Sequence, residues 1–237
     1  MSAGGVAAPN RDALALAALE EVRPDTIVAV GAGQTAARFI RALAEHYRSE
    51  LEHGRDLGIR CVAASNSSES LARDLGLPMT EFAVVEKVDL FIDGADEVDR
   101  RMNVIKGTRG TMARERMLAW ASRRVVYMVR ASKVSERVGE SSTLAIAVMA
   151  FGLESIRAAL RNIGVTGVVR RTMNGELFIT DNGNLVLDVD LHGDEDLGEL
   201  HATLNDIPGV IDHGLFLTEA DAILIEHEDG RIERLDR

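Results

Sequence analysis

Short apolar runs alternate with amphipathic segments through the first half of the chain. Runs that end in glycine or polar residues predict strands, whereas apolar positions spaced three and four residues apart predict helices. The clearest helical stripe comprises Ala36, Phe39, Ile40, Leu43 and Tyr47. We expect strands at 25–30, 58–65, 90–92 and 124–130, and helices at 11–22 (capped by Asn10), 35–47, 67–77 and 111–122. Such alternation indicates a mostly parallel sheet with helices on both faces.

The pattern changes after Gly139. From there we expect a strand at 144–150, a helix at 152–164, strands within 167–191, a helix at 194–207 and further strands within 214–235. The segment 167–191 alternates with period two, and Asn-Gly pairs at Asn174 and Asn182 favour tight turns between antiparallel strands. The chain therefore reads as a parallel α/β domain followed by a smaller α+β domain.

Composition and charge narrow the class of protein. The 237 residues are 46% hydrophobic, yet no run approaches the roughly 18 apolar residues of a membrane helix. The single cysteine, Cys61, cannot form an internal disulfide, and the N-terminus lacks the pattern of a secretion signal, so we expect a cytoplasmic protein. The net charge of −11 argues against non-specific binding to nucleic acid or to a membrane surface, although a pocket can still be locally positive.

The segment 90–99 leads an apolar strand directly into a cluster of acids: Asp93, Asp96, Glu97 and Asp99. Ligands of open parallel sheets bind beyond the carboxyl ends of the strands. Gly94 lets the backbone turn sharply, so that Asp93 and Asp96 can face one cavity. An acidic turn that solvates the rim, with Asp93 capping the next element, explains the same pattern.

A glycine-containing turn follows the first predicted strand. The N–H groups at the start of the next helix make an anion site, and Gly31–Ala36 also matches the dinucleotide fingerprint with alanine in the last position. The following strand leads into Ser65–Ser68, which contains no acid to hold a ribose hydroxyl. This rim therefore suits a phosphate or a sugar better than a dinucleotide.

A third candidate segment, 105–117, contains Lys106, a loop with Gly107 and Gly110, and Glu115 in the following helix. A lysine beside a helix N-terminus can stabilise a developing oxyanion, and a nearby carboxylate can transfer a proton. Taken alone, Glu115 is better explained as a solvent-facing helix acid, paired with Arg114 or Arg116. The six histidines have no ligand spacing, so we expect no metal site.

Seven segments of the chain match one known family in order. They are IVAVGAGQTAARFI, ASNSSES, DLFIDGADEVD, IKGTRGTMARER, ASKVSERVG, FITDNGNLVLDV and IPGVIDHGLF. The chain resembles type A ribose-5-phosphate isomerase over nearly its whole length. The resemblance implies a Rossmann-like catalytic domain over 1–138 and 214–237, and a ferredoxin-like α+β lid and oligomerisation domain over 139–213. It also implies a homodimer or homotetramer that needs no cofactor.

The resemblance further implies an aldose–ketose isomerase of the non-oxidative pentose phosphate pathway, interconverting D-ribose 5-phosphate and D-ribulose 5-phosphate. Glu115 would move a proton between C2 and C1 through a cis-enediolate, and Lys106 would neutralise the enediolate oxygen. Asp93 and Asp96 would grip sugar hydroxyls and help to open the ring. The implied substrate-binding residues are Ala32, Gly33, Gln34, Thr35, Gly94, Ala95, Gly107, Thr108, Arg109, Lys133 and Arg11.

The recognition loops depart from the family pattern. The phosphate loop usually reads Gly-Thr-Gly-Ser-Thr, so Ala32 and Gln34 remove two hydroxyl donors. Thr108 and Arg109 replace glycines of the catalytic loop, and 130–132 lacks an acid that relatives often carry. A paralogous isomerase of another sugar phosphate or sugar acid is therefore an alternative. A non-catalytic sugar-phosphate sensor and a nucleotide-dependent oxidoreductase are further alternatives; the sensor would need a partner module, for which we see no segment.

Overall fold

The computed structural model describes residues 12–237, which form three sheets and six helices. The strands are β1 (Ile27–Val30), β2 (Arg60–Ala63), β3 (Leu90–Gly94), β4 (Glu97–Asp99), β5 (Val104–Ile105), β6 (Val125–Arg130), β7 (Val134–Ser135), β8 (Leu144–Val148), β9 (Gly167–Val169), β10 (Leu185–Val189), β11 (Val210–His213), β12 (Leu215–Phe216), β13 (Ala222–Glu226) and β14 (Ile232–Asp236). The helices are α1 (Ala13–Leu19), α2 (Gly33–Glu52), α3 (Asn66–Asp74), α4 (Met112–Ala121), α5 (Leu153–Asn162) and α6 (Leu197–Asp206). Within 12–237, none of these helices combines the length and the apolar character that a membrane span requires.

Six strands form the central sheet, in the order β14–β13–β6–β3–β1–β2. Its neighbouring strands are parallel except for the edge pair β13–β14, which is antiparallel. The chain leaves β1 towards β2 on one side and returns to β3 on the other. The carboxyl ends of β1 and β3 therefore form the switch point at which ligands of such sheets bind. The predicted mostly parallel α/β fold is confirmed.

Helices pack on both faces of the central sheet. On one face, α1 and α2 bury Leu14, Phe39 and Leu43 against Val28 and Ile92. The stripe predicted for α2 is buried, with Tyr47 partly buried at its end. The other face packs against α4 and the strands that follow β3. Each fully buried large apolar side chain contributes about 1.5–3 kcal/mol, so these contacts hold β1 and β3 rigidly in place.

Two smaller sheets complete the fold. The second sheet is antiparallel, in the order β11–β8–β10–β9, and packs against α5 and α6. The third sheet, in the order β12–β5–β4–β7, is made of strands of two or three residues. Ile105 and Leu215 of the third sheet belong to the core of the second sheet, so the third sheet joins the other two.

Besides the short strands of the third sheet, which were not predicted, the structure differs from the predicted elements as follows. Asp12 caps α1, accepting a hydrogen bond from the N–H of Ala15, and the expected cap Asn10 lies outside the described residues. The strand predicted at 90–92 lies within β3, but the acidic residues that follow it form a further strand, β4, because the chain turns into another sheet. Between β9 and β10 the expected meander is reduced to one bridge, between Arg171 and Leu177.

Candidate active site

The turn after β1 brings the start of α2 against the end of β3. A Cβ atom built on Gly31 would lie 1.7 Å from Oδ1 of Asp93, so only glycine fits there. Gly33 adopts φ +85°, in the left-handed region that favours glycine. Ala32 occupies the N-cap position and offers no side-chain acceptor, so the first N–H groups of α2 have no side-chain cap. This helix start favours an anion.

Asp93 is 0% exposed and lies beneath the turn. Its Oδ1 accepts hydrogen bonds from the N–H of Ala32 at 3.1 Å and of Gly94 at 2.7 Å, and its Oδ2 lies 2.8 Å from Nζ of Lys106. We expected Asp93 to face the cavity with Asp96. Instead Asp93 lies behind Lys106 and does not line the cavity. The close approach of Gly31 and the hydrogen bonds from these two amides keep its carboxylate buried.

Lys106 connects the buried carboxylates. Its Nζ donates to the carbonyl oxygen of Gly94 at 2.5 Å, lies 3.5 Å from Oε2 of Glu115, and sits 5.2 Å from the centroid of the Tyr127 ring. Burial opposes the positive charge, but the negative charges of Asp93 and Glu115 outweigh it and raise the pKa of Lys106 to about 12. The lysine is therefore a fixed cation at neutral pH.

Glu115 lies in the first turn of α4 and is almost fully buried. The hydroxyl of Thr111 donates to Oε1 at 2.7 Å, whereas Oε2 has no hydrogen-bond partner within the described residues. Burial raises the pKa of Glu115 to about 7, the nearby Asp93 adds to this effect, and Lys106 opposes it. Two buried carboxyl groups thus share one cation, and Glu115 can gain or lose a proton near neutral pH.

Asp96 belongs to the rim rather than to the buried cluster. It is partly exposed, and its Oδ2 accepts a hydrogen bond from the N–H of Thr108 at 2.9 Å. That bond ties the end of the acidic segment to the loop after Lys106. The other acids of the segment point away: Glu97 binds the loop 139–142, and Asp99 closes the turn that follows it.

A cavity of about 250 Å³ opens over these groups. Its lining includes Asp96, Lys106 and Glu115, and the remaining residues around it are Ala32, Gly33, Gln34, Thr35, Gly94, Ala95, Gly107, Thr108, Arg109 and Lys133. Every described residue of the predicted site except Asp93 therefore lines one cavity, while Arg11 lies outside the described residues. Glu115 and Lys106 place a proton acceptor and a cation at its inner wall.

Two other cavities lie near the first. One, of about 320 Å³, shares Ala32, Gly33, Gln34 and Arg109 with it and continues towards Ser65–Ser68. A larger cavity, of about 580 Å³, is lined by the opposite side of α4, including Trp120, and contains none of the predicted residues. We take the 250 Å³ cavity as the candidate site because Lys106 and Glu115, two adjacent and almost fully buried groups with raised pKa values, both line it.

Three residues at the site were not predicted as functional. Thr111 was expected only as the start of a helix, although its spacing of four from Glu115 is a readable signal. Tyr127 pairs in register with Asp93 on the adjacent strand, which only the strand order reveals. Arg170 donates to the carbonyl oxygens of Gly107 and Thr108 from a distant segment of the chain.

Known proteins resemble this chain over most of its length. The family model described as ribose 5-phosphate isomerase A (phosphoriboisomerase A) matches residues 60–230. A curated protein from Sphingopyxis alaskensis, named ribose-5-phosphate isomerase A, is 40% identical over 215 residues, which cover 91% of each chain. A protein of the same name from Chlamydia trachomatis is 37% identical over 231 residues, covering 95% of this chain and 91% of the relative.

Solved structures show the same likeness. Ribose 5-phosphate isomerase from Plasmodium falciparum superposes with a TM-score of 0.88 at 30% identity, covering 94% of this chain and 96% of that one. A D-ribose-5-phosphate isomerase in complex with phospho-erythronic acid also gives a TM-score of 0.88, at 28% identity, covering 95% of this chain and 97% of the other. The chain therefore belongs to the ribose 5-phosphate isomerase A family.

Proposed function

We propose that this protein is an aldose–ketose isomerase that interconverts D-ribose 5-phosphate and D-ribulose 5-phosphate. The observation that carries the proposal is the state of Glu115. Its carboxyl group is buried, its pKa is raised to about 7, and its Oε2 has no hydrogen-bond partner within the described residues. A carboxylate of this kind beside a fixed cation suits the removal and return of a proton next to a carbonyl group.

Glu115 and Lys106 have complementary roles in the proposed reaction. Oε2 of ionised Glu115 takes the proton from C2 of the open-chain aldose and returns it to C1, through a cis-enediolate. Negative charge develops on the enediolate oxygen, where the ammonium of Lys106 neutralises it. The separation of 3.5 Å between Lys106 Nζ and Glu115 Oε2 leaves both groups within reach of adjacent substrate atoms.

Asp93 and Asp96 have different roles in the proposed reaction. Asp96, at the rim, is the group that grips sugar hydroxyls and moves the ring-opening proton. Asp93 is fully buried, forms an ion pair with Lys106 and accepts hydrogen bonds from two amides. We therefore assign Asp93 to the orientation of Lys106 rather than to direct contact with the sugar.

The phosphate of the substrate is proposed to lie at the start of α2. The N–H groups of Gly33, Gln34 and Thr35 point out of an uncapped helix start, and Lys133 lies on the same cavity. The Arg109 side chain reaches over this turn: its Nε would lie 3.5 Å from a Cβ built on Gly33. A guanidinium there can replace the hydroxyl donors that the usual family loop supplies.

We further propose a cytoplasmic homodimer or homotetramer with two domains, 139–213 forming the lid. Phosphorylated sugars are charged and do not cross membranes freely, which supports the cytoplasm as the location. Two exposed apolar side chains support self-association: Val168 on β9, and Ile179 on the segment between β9 and β10. Light scattering coupled to size-exclusion chromatography measures the assembly directly, and a monomer at all concentrations would reject this part.

Turnover of a substrate panel tests the function. We expect ribose 5-phosphate to give the highest kcat/KM among aldose phosphates and sugar acids. In D₂O, NMR should show solvent deuterium entering the product at the transferred position, because the proton passes through Glu115. A failure to isomerise ribose 5-phosphate would reject the proposal.

A paralogous isomerase of a different sugar phosphate is the second candidate. It is favoured by Arg109, which borders both the 250 Å³ cavity and the adjoining 320 Å³ cavity. A larger substrate could extend past Arg109 into the second space. A sugar other than ribose 5-phosphate with a far higher kcat/KM in the same panel would select this candidate.

A further inference from the structure

The loop from Lys106 to Thr111 is held by a side chain from the segment that follows β9. Nη1 of Arg170 donates to the carbonyl oxygen of Gly107 at 2.8 Å and to that of Thr108 at 3.0 Å. These two carbonyl groups belong to successive peptide units of the loop. One guanidinium nitrogen therefore fixes the orientation of both.

Because a peptide unit is planar, a hydrogen bond that fixes its carbonyl group also fixes the direction of its N–H group. In a trans peptide the C=O and the following N–H point in opposite directions. Because both carbonyls point towards Arg170, the N–H groups of Thr108 and Arg109 point away from it. The Thr108 N–H indeed reaches Oδ2 of Asp96, on the cavity, at 2.9 Å.

Arg170 is itself held firmly. Its Nε donates to Oδ2 of Asp188 at 2.9 Å, and its Nη2 pairs with the other oxygen of the same carboxylate. The guanidinium carbon lies 5.4 Å from the centroid of the Phe178 ring. The Arg170 side chain is 14% exposed, so its hydrogen bonds are largely shielded from water.

The loop needs such external support because its own backbone is permissive. Gly107 and Gly110 adopt φ values of +117° and +72°, and such glycine positions have many alternative conformations. A Cβ on Gly110 would lie 2.5 Å from the ring of Phe178, so the segment between β9 and β10, which carries Arg170, also packs directly on the loop. Contacts from the second sheet thus select one conformation of a loop that belongs to the central domain.

We infer that Arg170, oriented by Asp188, is a positioning residue that aims the peptide N–H group of Arg109 at an oxygen atom of the reacting sugar and holds that of Thr108 on Asp96. The inference rests on the proposed isomerase function. Arg170 does not touch the cavity, so it acts through the loop. Correctly aimed N–H groups stabilise charge that develops in the transition state, so their loss lowers kcat more than it raises KM.

Substitution of Arg170 by Met, which keeps much of the side-chain length without the donors, tests the inference. We expect kcat for ribose 5-phosphate to fall by about 10²-fold, the effect of losing one oxyanion donor, with a much smaller change in KM. The adjacent Arg171→Met variant is the matched control, because Arg171 is exposed and, among residues 12–237, its side chain donates only to the carbonyl of Gly175. Its kinetics should equal those of the wild type.

Three further readouts separate positioning from a merely structural role. Affinity for phospho-erythronic acid, whose planar carboxylate resembles an enediolate, should fall in parallel with kcat. The pH at which kcat/KM reaches half its maximum should not move, because Arg170 does not contact Glu115. Arg170→Lys should recover part of the lost kcat, since an ammonium can still donate to one carbonyl but not form the fork.

An unchanged kcat in Arg170→Met, relative to Arg171→Met, would overturn the inference, as would a loss that merely follows the unfolded fraction measured by circular dichroism. If Arg170→Met does not fold, Asp188→Asn decides instead: it removes the charge that orients Arg170, and kcat must fall with little change in KM. If the wild type itself fails to isomerise ribose 5-phosphate, the proposed function fails, independently of Arg170.

Discussion

Two buried glutamates, Glu97 and Glu115, lie in very different surroundings. Glu97 accepts hydrogen bonds from the hydroxyl of Ser135 at 2.5 Å and from four successive backbone N–H groups, those of Gly139, Glu140, Ser141 and Ser142. Glu115 accepts one, from Thr111, and leaves Oε2 without a hydrogen bond among the described residues. Within residues 12–237, the Glu97 carboxylate therefore has five hydrogen-bond donors, whereas the Glu115 carboxylate has one.

The difference distinguishes a carboxylate with a structural role from one that is a candidate for proton transfer. Donors around Glu97 compensate for its burial and fix the loop 139–142, which leads into β8 of the second sheet. The shortage of donors at Glu115 leaves burial as the main influence and raises its pKa to about 7. Groups with a shifted pKa at a cavity are candidates for proton transfer, whereas saturated carboxylates hold segments together.

The largest effect is expected from Glu115→Gln. The amide keeps the shape but cannot accept the proton, so kcat should fall by about 10²–10⁴-fold, the range typical of a lost general base. Steady-state assays at pH 8 measure the loss. Glu154→Gln, at an exposed glutamate in the first turn of α5, is the control. Full turnover in Glu115→Gln would show that another group carries the proton.

The same substitution should change how stability depends on pH. The folded protein retains the Glu115 proton up to a pKa of about 7, whereas an ordinary glutamate releases it near 4.5. Stability from this group is therefore present below 4.5 and is lost as the pH rises to about 7. Urea unfolding at pH 5 and pH 8 should show that Glu115→Gln abolishes a loss on the order of 3 kcal/mol. Identical pH dependence in both proteins would contradict the raised pKa.

Substitution of Glu97 by Gln should act on stability rather than on chemistry. An amide presents an NH₂ group to backbone N–H donors and leaves some of them unpaired, so the free energy of unfolding should fall by about 2–3 kcal/mol. Glu136→Gln, at an exposed position just before the bound loop, is the control and should be neutral. If Glu97→Gln instead lost activity as severely as Glu115→Gln without loss of stability, the contrast between the two glutamates would fail.

The smallest effect is expected from Thr111→Val. The Thr111 hydroxyl favours the ionised form of Glu115, so its removal should raise the pKa of Glu115 and move the acid limb of kcat/KM upward by about half a unit to one unit. A pH profile from about 5.5 to 9 measures this. Thr203→Val on α6 serves as the control. A limb that shifts downward or stays in place would reject the assigned hydrogen bond.

Local patterns were sufficient for the main elements of the fold. The apolar stripe of α2 has a readable helical period, and the continuous β-branched runs of β1 and β6 indicate buried strands. The third sheet was missed because strands of two or three residues have no measurable period. The split of the acidic segment between β3 and β4 was missed for the same reason, since only pairing with partner strands distinguishes them.

By itself the sequence determined the fold class, and it predicted the residues of the candidate site: a glycine turn after β1, two aspartates in and after β3, a lysine after β5 and a glutamate in α4. The fold class follows from local sequence patterns, and the site residues follow from these patterns together with the resemblance of seven segments to the isomerase family. Only the tertiary structure decided which buried groups receive few hydrogen bonds. It also decided that Asp93 lies behind Lys106 and that Arg170 donates hydrogen bonds to the loop after Lys106. The physical reason is that burial and hydrogen-bond supply depend on residues distant in the chain, and so they do not exist until the sheets have packed.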